Sequence, residues 1–166
     1  GETGSELWIR ELEYLGRKLQ ELTGKKVSRK ALVKEIKKWN RAHELWSRML
    51  ELRSSRKHPI SGQDAMLVVQ ASQVDDIERW NRKTSELIQE LERMMKEGKV
   101  AGEEGAARVL LAGSPMMYPN FKIPSIVEES GGTIVHDELC TGFRLMSDPV
   151  MLDGITKKGI MRALAE

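Results

Sequence analysis

The sequence predicts an α/β protein in which an N-terminal helical bundle is followed by a partial βαβ unit. Apolar residues recur at spacings of three and four up to about residue 98, which is the period of packed helices. After residue 107 the pattern changes to short apolar runs bounded by glycine, which is typical of buried parallel strands. We therefore divide the chain into a helical region over 1–98, a linker over 99–107 and an α/β lobe over 108–166.

Four helices are predicted in the first region. Gly24 fits the end of the first helix, and Ser28 and Ser61 fit the N-caps of the second and third. The apolar stripes are Trp8, Leu12, Leu15, Leu19 and Leu22; Leu32, Ile36, Trp39, His43, Trp46 and Leu50; Met66, Leu67, Val68 and Val69; and Ile77, Trp80, Thr84, Leu87, Leu91 and Met94. We expect the three long stripes to be buried against one another in a small antiparallel bundle. The tryptophans are expected in the core or at a domain interface, and His43 as a hydrogen-bonded core residue.

The second region begins after a glycine-rich, charged linker. The run 109–112 predicts a buried strand that ends at Gly113, and 133–136 predicts a second strand. Between them a helix is predicted to begin near Pro124 and to end at Gly131-Gly132. Asp148-Pro149 is predicted to open a last amphipathic segment through Met151, Leu152, Ile155, Ile160, Met161 and Leu164.

Two strands are too few for a stable sheet. Further strands must therefore come from a second copy of the chain or from a longer polypeptide. The sequence stops inside an apparent helix, and this favours the longer polypeptide, of which these 166 residues would be an internal fragment.

Composition restricts the class of protein. Of the 166 residues 40% are apolar and 31% are charged, which is ordinary for a globular domain. No apolar run approaches the ~20 residues that span a bilayer, and the first residues do not resemble a secretory signal. The single cysteine excludes an internal disulfide framework and fits a reducing compartment. We expect a cytoplasmic protein with no membrane contact.

The segment 25–57 is strongly basic, with twelve Lys or Arg against three Glu. Because these charges fall between the apolar positions of a helical repeat, we interpret them as a solvated helix face. The alternative is a non-enzymatic helical module that binds an acidic partner or nucleic acid. The sequence has neither an aromatic-interleaved sheet motif nor zinc-finger spacing, and nucleic acid is not the expected partner.

Cys140 follows the second predicted strand, within Asp137-Glu138-Leu139-Cys140-Thr141-Gly142. Ligands bind at the carboxyl edge of open α/β sheets, so this thiol lies where a site is expected. It could instead be a small buried residue, or a nucleophile paired with His136. Residues four apart on a strand lie about 13 Å from one another, which argues against direct contact with that histidine.

The loop after the first strand carries Gly113, Ser114 and Pro115, but it lacks the glycine and lysine spacing of a phosphate loop. Met116, Met117, Tyr118 and Phe121 give it an adaptable apolar border. This border suits an organic acyl group, and it would equally well cover the edge of the sheet.

Several segments together resemble the 2-hydroxyacyl-CoA dehydratase family. This family includes the D-component of 2-hydroxyglutaryl-CoA dehydratase, benzoyl-CoA reductase subunits and double-cubane cluster proteins. In the α/β lobe the resemblance lies in 109–115, 119–124, 129–132 and 137–142. In the helical region it lies in 22–27, 51–53 and 59–62, so that it covers nearly the whole chain. The segment Cys140-Thr141-Gly142 is its most specific part.

The resemblance implies an oxygen-sensitive two-subunit enzyme of anaerobes, built from Rossmann-like lobes and helices. It implies a [4Fe–4S] cluster in each relevant subunit, with Cys140 as one ligand, and soft thiolates suit iron–sulfur clusters. An ATP-dependent iron–sulfur activator would supply a low-potential electron. The reaction would be the radical elimination of water from an acyl-CoA thioester, or a related reduction.

The chain departs from the family pattern because it has one cysteine. The other cluster ligands would lie outside it, since full-length relatives are more than twice as long. We expect that this segment alone holds no stable cluster. Under the resemblance Ser114, Pro115 and Met116 would face the acyl-CoA substrate.

Overall fold

A computed structural model describes residues 3–102, 105–145, 148–152 and 156–164. It confirms the α/β class, because a helix-rich N-terminal part precedes two parallel strands within these ranges. The helices are α1 (Gly4–Thr23), α2 (Arg29–Ser54), α3 (Gly62–Ala71), α4 (Ile77–Lys96), α5 (Lys122–Glu129) and α6 (Lys157–Ala163). The strands are β1 (Ala107–Ala112) and β2 (Gly132–Glu138), and a short 3₁₀ turn spans Phe143–Leu145.

The chain forms two compact units, of which the first contains Gly1–Asn40 and Pro149–Glu166 and the second Arg41–Asp148. Helix α2 thus contributes residues to both units. The division into a helical region over 1–98, a linker over 99–107 and an α/β lobe over 108–166 stays a prediction.

The predicted helix ends are confirmed by their capping geometry. Gly24 has the left-handed φ of 67° that closes α1. The Ser28 hydroxyl accepts a hydrogen bond from the Ala31 amide at 3.2 Å, and the Ser61 hydroxyl accepts one from the Asp64 amide at 3.0 Å. These side chains satisfy amides that a helix leaves unpaired in its first turn.

The core of the second unit lies between α2, α3 and α4. Its buried apolar residues are Ala42, Leu45, Trp46, Met49, Leu52, Ile60, Ala65, Val69, Trp80, Ile88 and Leu91. The indole of Trp80 donates to the Val68 carbonyl at 2.8 Å, so this buried polar group is satisfied. Trp46 and Trp80 are core residues as predicted, and the half-buried His43 lies 3.4 Å from the Ser47 hydroxyl.

Trp39 is not a core residue, because 47% of its surface is exposed, and its place at a domain interface stays a prediction. The densely packed stretch of α2 begins one turn later, at Ala42. Ile36, about one turn before Trp39, is also buried, so the exposure is particular to Trp39 and does not mark the end of the covered part of α2.

In the first unit α6 contacts α1, and Ile9, Ile160 and Met161 are buried. The predicted burial of the α1 stripe is wrong, since Trp8 is 52% exposed and Leu22 82% exposed, with Leu15 and Leu19 also exposed. Ile9 is the buried residue of α1, which shows that this helix packs through the face next to the stripe.

The C-terminal helix begins later than predicted. Thr156 caps α6 by accepting from the Gly159 amide at 3.1 Å, and residues 148–152 are not helical. That segment is held by Asn40, whose side chain exchanges hydrogen bonds of 2.8 and 3.0 Å with the backbone of Val150. The predicted position of Ile155 lies outside the described residues.

Strands β1 and β2 pair in parallel from Ala107 opposite Gly132 to Ala112 opposite Glu138, with an irregularity after Val109. The predicted burial of β1 is wrong, because Leu110 is 57% exposed. Within the described residues β1 pairs with one strand, β2, and helices α3 and α5 pack chiefly on β2. Consequently Ile134 in β2 is fully buried.

Helix α5 begins at Lys122, so Pro124 is its third residue and lies in the first turn, as predicted. The first-turn amides of a helix have no partner within the helix, and proline is therefore tolerated there. In the described part of the chain, no helix combines the length and the apolar character that crossing a membrane requires.

Candidate functional site

The thiol of Cys140 is exposed in the turn that follows β2. Because β1 and β2 are parallel and paired to their last residues, their carboxyl ends meet at one edge of the sheet. The loop 113–121 leaves β1 at this edge, and the turn 139–142 leaves β2 there. We call these segments the β1 loop and the cysteine turn.

Thr141 joins the cysteine turn to the β1 loop. Its hydroxyl donates to the Met116 carbonyl at 2.7 Å and accepts from the Met116 amide at 3.0 Å. Both backbone groups of Met116 are thereby bonded to the residue next to Cys140. The structure thus brings together two segments that the sequence offered separately as site candidates.

Gln70 of α3 holds the same loop from inside the protein. Its amide group donates to the Met116 carbonyl at 2.7 Å, and its carbonyl oxygen accepts from the Tyr118 amide at 3.0 Å. Gln70 is buried, and a buried amide of this kind needs partners for both its donor and its acceptor. The loop backbone supplies them.

A small apolar cluster lies under the site. It consists of Met66 from α3, Phe121 from the β1 loop and Leu139 from the cysteine turn, with Leu111 and Met116 packed against it. Leu139 is buried while its neighbour Cys140 is exposed. The cluster therefore anchors the backbone on one side of the thiol.

Asp137, near the end of β2, is fully buried beneath the cysteine turn. One carboxylate oxygen, Oδ1, accepts from the Phe143 amide at 2.9 Å and from the Leu139 amide at 3.4 Å. The other oxygen, Oδ2, accepts from the Arg53 guanidinium at 2.9 Å.

Arg53 is fully buried at the end of α2. Burial lowers its pKa, and the nearby Asp137 carboxylate opposes that shift. The guanidinium carbon lies 5.9 Å from the ring of Trp46. Its Nε and Nη2 atoms are buried and have no hydrogen-bond partner within the described residues.

A second charged group lies at the end of β2, where Glu138 accepts from His136 and from Arg144, both at 3.2 Å. The hydrogen bond from His136, followed by that from Arg144, lowers the pKa of the Glu138 carboxyl. The His136 ring lies 4.8 Å from the ring of Phe143. These contacts turn His136 toward Glu138 and Phe143, and they lend no support to the alternative of a Cys140–His136 nucleophile.

The other predicted site residues lie along the first half of the β1 loop. Ser114 and Pro115 are exposed, and Met116 is half-buried. An open pocket of about 440 Å³ lies beside the second half of this loop. Its lining residues are Gln63, Tyr118, Pro119, Phe121, Lys122, Ser125 and Ile126.

Cys140 is an exposed free cysteine, and cysteine sulfur is the donor that iron–sulfur clusters use. The described residues contain no group of three or more His, Cys, Asp or Glu that could hold a metal ion. The part of the chain that the structure describes therefore does not make up a cluster site by itself, because such a cluster is held by four ligands.

Ion pairs engage part of the basic segment 25–57. Lys38 pairs with Glu35, Arg41 with Glu44 and Arg53 with Asp137. Arg48 pairs with both Glu51 and Glu92. These contacts neutralise some of the positive charge that the nucleic-acid alternative depends on.

The sequence pattern predicts no role for the side chains of Arg53, Gln70, Asp137 or Thr141. A signal was present for Arg53, which stands seven residues after Trp46 and so shares its helix face. A charged residue on an apolar face indicates a buried partner. That partner could not be identified, since 84 positions separate Arg53 from Asp137.

Comparison with known proteins identifies a matching family. The model of the family described as "2-hydroxyglutaryl-CoA dehydratase, D-component" matches residues 2–166. Among curated proteins the chain is similar to "Putative dehydratase subunit YjiM" of Escherichia coli (strain K12), with 29% identity over 141 residues. The match covers 82% of this chain and 35% of that protein, so the chain spans about a third of the length of its relative.

Proposed function

Because the chain belongs to the 2-hydroxyglutaryl-CoA dehydratase D-component family, we propose that it is part of the iron–sulfur subunit of a 2-hydroxyacyl-CoA dehydratase or a related acyl-CoA reductase. The reaction is the radical elimination of water from an acyl-CoA thioester. Cys140 is one thiolate ligand of a [4Fe–4S] cluster, and the remaining ligands come from outside the described residues. When bound, the cluster supplies one-electron chemistry.

One observation carries this proposal: an exposed cysteine is held between fixed neighbours at the carboxyl edge of a parallel sheet. Leu139 is buried on one side of Cys140, and Thr141 is hydrogen-bonded to Met116 on the other. A ligand must be accessible, and its backbone must hold a constant position for the metal geometry to be met. Cys140 satisfies both requirements.

The partners follow from the same proposal. They are a second dehydratase subunit, an ATP-dependent iron–sulfur activator and an acyl-CoA substrate. Ser114, Pro115 and Met116 contact the substrate, since the β1 loop lies at the same edge of the sheet as the thiol. The single cysteine fits the reducing cytoplasm, and we propose that location.

The cluster role is tested by anaerobic reconstitution with iron and sulfide of the dehydratase polypeptide that carries this sequence. We expect Cys140→Ser to lower cluster content and activity together, whereas Ser114→Ala keeps the wild-type iron content. Unchanged iron content and activity in Cys140→Ser would refute the proposed role.

The substrate role of the β1 loop needs a separate kinetic test on the same reconstituted enzyme. Met116→Ala is expected to raise KM for a 2-hydroxyacyl-CoA, because the substitution removes apolar contact area at the loop. Ser130→Ala, at the exposed end of α5, is the control and should leave KM unchanged. An unchanged KM in Met116→Ala would argue against substrate contact at this loop.

A further inference from the structure

We infer that the buried Asp137–Arg53 pair positions Cys140 by fixing the cysteine turn beneath it. This inference deepens the proposed function and rests on it, since the position of the thiol matters if Cys140 binds a ligand. Neither residue reaches the surface, because both side chains are 0% exposed. Their role is therefore one of positioning and not of contact with a ligand.

A single carboxylate oxygen holds both ends of the cysteine turn. Asp137 Oδ1 accepts from the amide of Leu139, before the cysteine, and from the amide of Phe143, after it. The Leu139 carbonyl in turn accepts from the Gly142 amide at 3.1 Å. Cys140 thus lies in a closed loop of hydrogen bonds centred on this carboxylate.

Gly142 allows the turn to approach that carboxylate. A Cβ atom at this position would lie 1.7 Å from Asp137 Oδ1 and 2.6 Å from its Cγ. The backbone of Gly142 therefore rests directly on the carboxylate, and a larger residue would have to displace it. The close approach explains the glycine immediately after Cys140-Thr141.

Arg53 fixes the orientation of the carboxylate by binding its second oxygen. Buried ion pairs are often no more stabilising than apolar residues of similar volume, because desolvation offsets the attraction. Here two guanidinium nitrogens also have no partner within the described residues, which adds to that cost. An arrangement that gains little stability but sets the direction of two backbone amides is consistent with a positioning role.

The test uses the single cysteine of the chain, which takes a nitroxide spin label at Cys140 alone. In Asp137→Asn and in Gly142→Ala, we expect the slow component of the nitroxide spectrum to be lost. The Phe143 amide should exchange its hydrogen at least ~10-fold faster, because a hydrogen bond to a charged group typically contributes more than the ~1.4 kcal/mol that corresponds to this factor. Gly142→Ala keeps both charged groups, and it carries the test if Asp137→Asn does not fold.

Asp76→Asn is a matched control. The Asp76 carboxylate also accepts from two backbone amides, those of Glu78 at 3.1 Å and Arg79 at 3.0 Å, at the exposed start of α4. This variant should change exchange at those two amides. The nitroxide at Cys140 and the Phe143 amide should behave as in the wild type.

The double variant Arg53→Met with Asp137→Asn separates positioning from general stability. Its melting temperature should stay near that of the wild type, because both charges are removed together. The nitroxide at Cys140 should be as mobile as in Asp137→Asn. The inference is overturned if the nitroxide keeps its wild-type mobility in Asp137→Asn and Gly142→Ala. It is also overturned if amides throughout β2 accelerate by the same factor as Phe143. Failure of the proposed function appears elsewhere, as an unchanged iron content in Cys140→Ser.

Discussion

At the scale of single residues, Thr141 joins the cysteine turn to the β1 loop. Its hydroxyl pairs with both backbone groups of Met116. Thr141→Val keeps the shape but leaves the partly buried Met116 amide without this acceptor. We expect a loss of ~1–3 kcal/mol in the free energy of unfolding, the usual cost of an unsatisfied buried group, measured by urea denaturation.

Thr23→Val provides the control for that prediction. The Thr23 hydroxyl donates to the Leu19 carbonyl at 2.7 Å, but this bond is exposed and water can replace it. The variant should change the free energy of unfolding by less than ~0.5 kcal/mol, as is usual for surface substitutions. If Thr141→Val costs no more than Thr23→Val, the link between the β1 loop and the cysteine turn contributes nothing to stability.

The pH response of Glu138 is also a property of single residues. Hydrogen bonds from His136 and then Arg144 lower the pKa of this carboxyl from its ordinary value of 4.5. A lowered pKa stabilises the folded state above the unfolded pKa, and this contribution disappears as the pH falls through the folded pKa. The stability difference between wild type and Glu138→Gln should therefore be present at neutral pH and absent in acid.

A titration of the Glu138 carboxyl by NMR tests the cause of that shift. His136→Phe keeps an aromatic ring beside Phe143 but removes the donor, and we expect the pKa of Glu138 to rise toward its ordinary value. Arg144→Met should also raise this pKa, since both the hydrogen bond and the positive charge of Arg144 lower it. An unchanged pKa of Glu138 in His136→Phe would contradict the assignment.

At the scale of elements, two helical glycines differ in the space that the fold leaves for a side chain. A Cβ on Gly62, at the start of α3, would lie 2.4 Å from the Cβ of Ile134 in β2. A Cβ on Gly16, inside α1, would make an ordinary contact of 3.8 Å with Val27. Gly62→Ala should therefore destabilise the protein by ~1–3 kcal/mol through overpacking. Gly16→Ala should stabilise it by ~0.5–1 kcal/mol, since glycine weakens a helix interior.

Urea denaturation followed by circular dichroism measures both glycine variants under the same conditions. The contrast in sign is the informative result, because both substitutions add the same methyl group. Equal effects of the two variants would show that the close approach of α3 to β2 does not constrain residue 62.

Helix α1 gives the second test at this scale. Leu15, Leu19 and Leu22 of its apolar stripe are exposed, whereas Ile9 is buried. Leu19→Lys should change the free energy of unfolding by less than ~0.5 kcal/mol, and Ile9→Ala should lower it by ~2–5 kcal/mol. Thermal unfolding followed by circular dichroism distinguishes the two, and a large loss in Leu19→Lys would show that the stripe is covered.

At the scale of the whole molecule, the sequence predicts correctly those features that are determined by residues close together in the chain. Helix caps at Ser28 and Ser61, the end of α1 at Gly24 and the turn that carries Cys140 depend on residues within a few positions of one another. Such features can be predicted because hydrogen bonds between residues close in the chain determine them.

Features that depend on partners far apart in the chain cannot be predicted from the sequence in this way. The stripe of α1 has helical periodicity, but which face of a helix is covered depends on where α6 packs. The exposure of Leu110 likewise depends on how many strands flank β1. The Arg53–Asp137 pair joins positions 84 residues apart, and a single sequence carries no signal for that pairing.

The single cysteine limits how much iron the chain as a whole can hold. Because one thiol cannot replace the four ligands of a [4Fe–4S] cluster, the 166-residue chain alone should bind iron weakly after anaerobic reconstitution. Cys140→Ser should then have little effect on its iron and acid-labile sulfide content. In a full-length polypeptide of the proposed dehydratase, the same substitution should lower both. A stoichiometric four-iron cluster on this chain alone would contradict the view that Cys140 is one ligand of a site completed by residues elsewhere.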